Sequence, residues 1–316
     1  MKRSSLWLPL ALIIISGPMN NLWADFKKAL FLIVAIQCWG MACTLVNDLS
    51  DKEEDSAAGK KRWANNLSAN AGVFIFVFFT VIGFISILFT GGSAGAVTAY
   101  AAVILIGIFY SLRPVRLKDR GLLGISSYGL FTAIAYVLVP WMSFDIHFGL
   151  LIPVFIALFM DKWVNLHFHQ ILDYQADLDT GSRTYAVKVG LERTRGTLQI
   201  AAVLASSAMV VVLIYIIVLL EQKMVWRVLV FLLAFSVVGG VGIYAKKLKR
   251  RAENISDLLR ELPWIYLGLT YLLFRVLPPF LFTYLAIREP VMWILVALSS
   301  LSLLGESLYS IRYRYE

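Results

Sequence analysis

Long apolar stretches alternate with short polar segments along the chain, and most approach the roughly 20 residues that a helix needs to cross a bilayer. The pattern predicts ten membrane spans, at Leu6–Asn21, Phe26–Val46, Ala69–Phe89, Ala94–Leu112, Leu122–Met142, Phe148–Gln170, Thr197–Leu220, Val225–Ala245, Leu262–Ala286 and Val291–Ser310. The first segment is short, contains Gly17 and Pro18, and also fits a cleavable signal peptide. Leu22 would stand at position −3 of a cleavage site ending at Ala24, where small residues are preferred, which favours a retained span.

The amino-acid composition also indicates a membrane protein. The chain is 59% hydrophobic and 16% charged, with a mean hydropathy of +0.76, whereas a soluble domain carries about 25% charged residues. These values exclude a water-soluble globular enzyme, a disordered chain and a disulfide-rich scaffold. Cys38 and Cys43 lie in an apolar run at a spacing that is not typical of metal or redox sites, so we expect them to be packing residues.

Basic residues are unevenly divided between the two ends of the predicted spans. With the amino terminus inside, 23 of the 29 Lys and Arg residues fall in inward segments and five fall in outward ones. This asymmetry predicts a multi-pass cell-membrane protein whose amino terminus and inward loops lie on the cytoplasmic side. Topology therefore explains the net charge of +9, and no nucleic-acid partner is expected.

Two acidic clusters lie at inward ends of predicted spans. In the first, a continued helix would place Asp48, Asp51 and Asp55 within about 60° of one another. In the second, Asp173 and Asp177 are four residues apart and share a face. Mg²⁺ is commonly held by carboxylates together with substrate phosphates, so two facing clusters suggest a diphosphate site. A solvated helix end neutralised by nearby lysines would also explain the first cluster alone.

The inward loop between the fourth and fifth spans supplies cations near these acids. Arg116 and Lys118 could bind phosphate oxygens, and Lys118 is the preferred diphosphate ligand. The positive-inside rule also accounts for any single basic residue in this loop.

Three segments together resemble the motifs of the UbiA superfamily of intramembrane prenyltransferases. Residues 47–55, NDLSDKEED, match the family's NDxxDxxxD motif. Residues 173–190, DYQADLDTGSRTYAVKVG, are similar to its DxxxD…G…T…G motif. Residues 110–118, YSLRPVRLK, are similar to the YS…P…LK loop between them. The three segments occur in the family's order, each at the inward end of a predicted span.

The resemblance implies an all-α bundle of nine or ten transmembrane spans around a central cavity, with residues 1–316 forming one domain. It implies Mg²⁺-dependent transfer of an isoprenyl group, through an allylic cation, from an isoprenyl diphosphate to an aromatic or other lipophilic acceptor. Asp48, Asp51 and Asp55 would bind one Mg²⁺, and Asp173 and Asp177 the other. The substrate contacts would include Asn47, Tyr110, Arg116 and Lys118.

One segment departs from the family pattern. Members that prenylate 4-hydroxybenzoate, homogentisate or chlorophyllide often follow the first motif with Arg-Pro-x-x-x-Gly, whereas residues 59–66 are GKKRWANN, without proline. The departure puts those acceptors in doubt and leaves the diphosphate chemistry untouched.

A polar stripe runs along the sixth predicted span. Asp161, Asn165 and His169 precede Asp173 at intervals of four residues, so they drift slowly around one helix face. Asp161 lies about 18 Å along the helix from Asp173, a depth at which an ionisable group is costly and is a functional candidate. We expect these residues to line the cavity and contact the acceptor. The alternative is a structural pair between helices, for example Asp161 with Arg275.

Other functions are compatible with parts of this pattern. A phosphoribosyltransferase or a terpene cyclase could use the same acidic motifs on the same scaffold. A transporter could use the carboxylates as a cation pathway, but transport sites tend to lie near the membrane midplane, whereas these acids gather at one face.

Overall fold

The computed structural model describes residues 3–17, 20–57, 63–144, 151–220, 224–248 and 262–312, in which the regular elements are helices. The basic segments 58–62 and 249–261, and the start of the predicted sixth span at Phe148, lie outside these ranges. The helices are α1 Trp7–Ser16, α2 Leu22–Ser50, α3 Lys52–Ala57, α4 Ala69–Phe89, α5 Ala94–Ser111, α6 Leu122–Ala133, α7 Val139–Phe144, α8 Leu151–Leu172, α9 Tyr174–Asp179, α10 Tyr185–Val189, α11 Leu191–Leu219, α12 Met224–Leu248, α13 Trp264–Tyr271, α14 Leu277–Ala286 and α15 Trp293–Arg312.

Seven stretches of the described chain are long and apolar enough to cross a bilayer, which makes this a multi-pass membrane protein. They lie in α2, α4, α5, α6–α7, α11, α12 and α13–α14. The 22 residues of α8 would extend about 33 Å, although Asp161 and Lys162 lie within them. The all-helical membrane fold is therefore confirmed, while the count of nine or ten crossings stays a prediction.

The first predicted span, Leu6–Asn21, was wrong in its length. Helix α1 has ten residues, about 15 Å, and ends before Gly17 and Pro18 because a proline disfavours helical geometry in the residue before it. Its apolar side chains are nevertheless buried against α7 and α14. Ser5, just before α1, accepts a hydrogen bond from Lys162 in the middle of α8, so the turn before α1 packs beside this part of α8. A half-length segment with a fully apolar sequence looks like a span because hydropathy reports burial as well as membrane crossing.

Two helices change pitch where a proline follows. The π-helical stretch Ile134–Leu138 joins α6 to α7 two residues before Pro140, and Leu272–Val276 joins α13 to α14 two residues before Pro278. Proline has no N–H and its ring would clash with the carbonyl four residues earlier, which lies in the π-helical stretch in both cases. Both stretches contact the turn Arg3–Leu6, at the level where α1 begins.

Helix α8 packs against α6 and α11, while α2 packs against α4 and α5. The buried core contains large side chains such as Trp39, Tyr100 and Phe282. By contrast, α4 exposes apolar side chains, including Phe74 at 71% and Phe89 at 65%. An apolar surface of this kind suits contact with lipid and would be unstable in water.

Candidate active site

One cavity of about 210 Å³ collects both acidic motifs and the basic loop between α5 and α6. Its lining includes nine of the twelve predicted site residues, namely Asn47, Asp51, Asp55, Tyr110, Arg116, Lys118, His169, Asp173 and Asp177. Asp48, Asp161 and Asn165 are not among the lining residues. Motifs that lie more than a hundred residues apart in sequence therefore meet in one place.

These nine lining residues come from the three motif segments and from α8, and the fold positions each segment by local interactions. Helix α2 extends beyond the predicted Val46 to Ser50, so Asn47 lies in its last turn. The Ser50 hydroxyl donates to the Asn47 carbonyl at 2.9 Å, and the chain turns at Asp51 before α3 begins at Lys52. Acidic residues Glu53, Glu54 and Asp55 occupy the first turn of α3, where the helix dipole favours negative charge.

Lys118 joins the basic loop to the first acidic motif. Its Nζ atom forms an ion pair with Asp51 and donates to Asn47 Oδ1 at 3.2 Å. The Ser111 hydroxyl donates to the same Asn47 oxygen at 3.3 Å. Burial lowers the pKa of Lys118, and the neighbouring Asp51 carboxylate opposes this change. The partly buried ammonium group of Lys118 therefore links the basic loop to the first acidic motif.

Arg116 is surrounded by three carboxylates. Its Nη2 atom lies 2.5 Å from Glu54 Oε2 and 3.2 Å from Asp51 Oδ1, and its Nε atom lies 2.6 Å from Asp119 Oδ2. Burial lowers the pKa of the guanidinium, but the three carboxylates outweigh this effect and raise it overall. The residue has a φ of 37°, in the left-handed region that side chains with a Cβ seldom adopt. The surrounding ion pairs hold this strained conformation in place.

The second motif forms the opposite side of the cavity. Asp173 directly precedes α9 without a capping hydrogen bond from its side chain, and Asp177 accepts a hydrogen bond of 3.1 Å from the Thr184 hydroxyl. The motif glycines Gly181 and Gly190 have φ values of 71° and 84°, which explains the choice of glycine at both turns. Thr184 precedes α10, so this hydrogen bond joins the two ends of the segment and fixes Asp177 beside the cavity.

The donor set fits Mg²⁺ bound together with a diphosphate better than Mg²⁺ bound by protein alone. Among the described residues, no group of three His, Cys, Asp or Glu side chains is close enough to hold a metal. Mg²⁺ is usually bound by one or two carboxylates and completes its coordination with waters and substrate phosphates. Carboxylates on two sides of a cavity, namely Asp51 and Asp55 facing Asp173 and Asp177, suit that arrangement.

The polar stripe of α8 is divided between two environments. His169 lines the cavity, whereas Asp161 is 2% exposed and belongs to a buried network. Its carboxylate accepts hydrogen bonds from Tyr266 at 2.9 Å and Asn165 at 3.1 Å, and pairs with Lys162 at 3.0 Å. The predicted placement of Asp161 and Asn165 on the cavity lining therefore needs correction for this cavity, while their contact with the acceptor stays a prediction.

The suggested partner of Asp161 also needs correction, since Lys162 and Tyr266 take the place proposed for Arg275. Adjacent helical residues do not normally face each other, so Lys162 was not a candidate from spacing alone. The long lysine side chain reaches back to Asp161 and also donates to Ser5 at 2.7 Å. Lys162 is one of the 23 basic residues that the predicted topology assigns to inward segments, but it lies inside α8.

Sequence reasoning missed several residues of the cavity. Glu54 and Asp119 contact Arg116 in the structure. The available signal in the sequence was that both are charged and lie next to motif positions. The remaining polar lining residues are Gln170, Thr180, Ser182 and Thr184. Of these, only Thr184 belongs to a motif. Asp48, in contrast, is a motif residue that is buried at 5% exposure away from the cavity lining.

Comparison with known proteins identifies a sequence family and a shared fold. The family model described as "UbiA prenyltransferase family" matches residues 5–258. A UbiA homologue from Archaeoglobus fulgidus, described as bound to GPP and Mg²⁺, has a similar fold with a TM-score of 0.59, 16% identity and coverage of 85% of this chain and 94% of the homologue. The same homologue described as bound to DMAPP and Mg²⁺ gives a TM-score of 0.59 and 18% identity over the same shares of both chains.

A third structure, described in connection with digeranylgeranylglyceryl phosphate synthase in membranes, gives a TM-score of 0.57 and 15% identity. The similarity covers 96% of this chain and 94% of that one. No curated protein sequence matches the chain significantly. At these identities the structures establish a shared fold, while the family match rests on the sequence itself.

Proposed function

The chain belongs to the UbiA prenyltransferase family, and we propose that it transfers an isoprenyl group from an isoprenyl diphosphate to an aromatic or other lipophilic acceptor with the help of Mg²⁺. The observation that carries this proposal is the meeting of both acidic motifs, Lys118 and Arg116 around one cavity. The descriptions of the Archaeoglobus fulgidus homologue, with GPP or DMAPP and Mg²⁺, support the choice of substrate and metal. Membership of a prenyltransferase family decides against the transporter alternative.

The metal would be held by Asp51 and Asp55 on one side of the cavity and by Asp173 and Asp177 on the other. When bound, Mg²⁺ supplies positive charge that stabilises the diphosphate leaving group. The Lys118 ammonium group supplies a further charge of the same sign from the protein, and Asn47 orients it through the 3.2 Å hydrogen bond. Electrostatic stabilisation of this kind is commonly the largest contribution to catalysis.

The donor's allylic carbon would lose the diphosphate and become a delocalised cation, which the acceptor then attacks. Tyr110 lines the cavity, and its ring centroid lies 5.5 Å from that of Phe131 and 6.0 Å from that of Tyr128. Aromatic faces attract cations by about 0.5–2 kcal/mol each and exclude the water that would quench the allylic cation. We propose this cluster as the apolar boundary of the reaction site.

Product analysis tests the reaction. Purified protein in detergent or nanodiscs, supplied with Mg²⁺, radiolabelled isoprenyl diphosphates of several lengths and a membrane lipid extract, should form a labelled lipophilic product and release diphosphate. Chelation of Mg²⁺ should abolish both. A protein that releases no diphosphate and forms no labelled product under any of these conditions would contradict the proposal.

Two neighbouring acids provide a matched test of the site. Asp51 lines the cavity, whereas Glu53 is exposed on α3 and is not among the lining residues. Asp51→Asn should lower turnover at least about 100-fold, because it removes a proposed metal ligand and the partner of Lys118. Glu53→Gln should leave turnover within about twofold of the parent, since surface substitutions have small effects. Equal activities of the two variants would remove Asp51 from the site.

A further inference from the structure

Two carboxylates at positions that the family motifs do not specify, Glu54 and Asp119, lie closer to the guanidinium of Arg116 than the motif residue Asp51 does. The distances are 2.5 Å to Glu54 and 2.6 Å to Asp119, against 3.2 Å to Asp51. The Arg116 side chain is 8% exposed, and those of Glu54 and Asp119 are 31% and 28% exposed, so these ion pairs are partly shielded from water. All four side chains line the cavity.

Asp51 has a second cationic neighbour in Lys118, and both cations contact its Oδ1 atom. If Arg116 had no other partners, one carboxylate would face two full positive charges. A carboxylate neutralised in this way is a poor ligand for a divalent cation, because the metal is repelled by the neighbouring cations. Glu54 and Asp119 compensate the charge of Arg116 and leave Asp51 with the negative charge that metal binding requires.

We propose that Glu54 and Asp119 are positioning residues that fix and neutralise Arg116, so that Asp51 remains able to bind a divalent cation beside it. This inference rests on the proposed function for the identity of the metal site. It extends that function by giving roles to two acids that the family motifs do not specify. Since Glu54 lies on α3, its ion pair with Arg116 also ties the basic loop to the first acidic segment, whereas the pair between Arg116 and Asp119 lies within the loop.

Binding of Mn²⁺, with and without inorganic diphosphate and followed by electron paramagnetic resonance on the purified full-length protein, tests the inference without turnover. Glu54→Gln and Asp119→Asn should each weaken Mn²⁺ binding about fivefold to tenfold, because each leaves Arg116 with uncompensated charge near Asp51. Glu53→Gln, on the same helix but exposed, is the matched control and should leave the affinity unchanged. The two test variants lie on different segments, so each can be judged if the other folds poorly.

A double substitution separates charge compensation from a general structural role. Glu54→Gln combined with Arg116→Gln removes one negative and one positive charge, and it should restore Mn²⁺ affinity to within about twofold of the parent. Arg116→Gln alone should not weaken Mn²⁺ binding, while it should raise the KM for the isoprenyl diphosphate. A merely structural role of Glu54 predicts instead that the double variant binds as weakly as Glu54→Gln or more weakly.

These measurements distinguish failure of the inference from failure of the proposed function. Parental Mn²⁺ affinity in both Glu54→Gln and Asp119→Asn, or no recovery in the double variant, would overturn the inference and leave the proposed function standing. Absence of Mn²⁺ binding by the parent protein, both with and without inorganic diphosphate, would overturn the inference together with the metal part of the proposed function. Absence of prenyl transfer with normal Mn²⁺ binding and the expected variant pattern would overturn the proposed function alone.

Discussion

Asp177 and Asp179 are two residues apart on α9, yet their carboxylates have different surroundings. Asp177 lines the cavity and accepts a hydrogen bond from Thr184, whereas Asp179 accepts one of 2.9 Å from Gln175 on the exposed side. Asp177→Asn should therefore reduce kcat/KM about 100-fold through the loss of a proposed metal ligand. Asp179→Asn, of the same chemistry on the same helix, should change it less than about twofold. Steady-state kinetics of both variants would check this, and a similar loss in each would contradict the assignment.

Lys118 and Arg120 offer a second comparison within the basic loop. The Lys118 ammonium group reaches into the cavity, while the exposed Arg120 side chain donates to the Val115 carbonyl at 2.7 Å. We expect Lys118→Gln to raise the KM for the isoprenyl diphosphate about tenfold or more, since a charge-assisted contact to phosphate is lost. Arg120→Gln should leave this KM near the parental value. If Arg120→Gln had the larger effect, the cation that binds the diphosphate would have to be reassigned.

At the residue scale, sequence spacing placed the motif acids on common helix faces and at the same ends of spans, and the structure brings Asp51, Asp55, Asp173 and Asp177 to one cavity. Spacing was less informative for Asp48, because α2 ends at Ser50 and the face expected from one continuous helix is interrupted at Asp51. The partners of Arg116 could not be derived either. They depend on a left-handed turn, which local sequence does not specify for an arginine.

At the element scale, the buried network at Asp161 fixes α8 relative to α13 and to the turn that precedes α1. A buried ion pair is strongly destabilised when one partner is removed, typically by about 3–5 kcal/mol. Lys162→Met should therefore lower the melting temperature clearly, because the buried Asp161 carboxylate would lose its cationic partner. Tyr266→Phe removes a single hydrogen bond to the same carboxylate and should cost about 1–3 kcal/mol.

Thermal unfolding of the purified protein in one detergent would rank these variants. A melting temperature for Lys162→Met at or above that of Tyr266→Phe would contradict the view that the ion pair dominates the network. Since Asp161 lies away from the cavity lining, Tyr266→Phe should also leave the KM for either substrate unchanged. A raised acceptor KM would instead return Asp161 to the acceptor site that its sequence position first suggested.

Hydropathy predicted most helices well because a helix that crosses the membrane needs a long run of apolar residues, which hydropathy detects. The predicted span Ala69–Phe89 coincides with α4, and the predicted Ala94–Leu112 exceeds α5 by one residue. Helices that continue beyond the apolar region were predicted too short, as with α2, whose last turn carries Asn47 to the cavity. The short α1 was predicted too long, since full burial inside a protein and contact with lipid select the same residue types.

At the scale of the whole molecule, the cavity lies where the carboxyl ends of α2, α5 and α8 meet, so these ends must lie on the same side of the membrane. The distribution of basic residues predicts that this side is the cytoplasm. The correction of Lys162 from loop to helix interior leaves that asymmetry almost unchanged, because the five outward cations are still greatly outnumbered. An isoprenyl diphosphate would then reach the cavity from the aqueous cytoplasm, with its chain directed into the bundle.

Cysteine labelling with a membrane-impermeant maleimide tests this orientation. The test uses a background in which Cys38 and Cys43 are replaced by alanine. One exposed cysteine is then introduced at a time. Glu192→Cys lies at the start of α11, on the cavity side, and Arg288→Cys lies in the turn after α14. Glu192→Cys should be labelled only in inside-out vesicles and Arg288→Cys only in intact cells. The two sites lie at opposite ends of the predicted spans, so the reverse pattern would place the diphosphate cavity on the outer face. Labelling of both sites from one side would contradict the predicted alternation of spans. The orientation depends on that alternation, because the positive-inside rule assigns a side only when successive loops lie on opposite sides of the membrane.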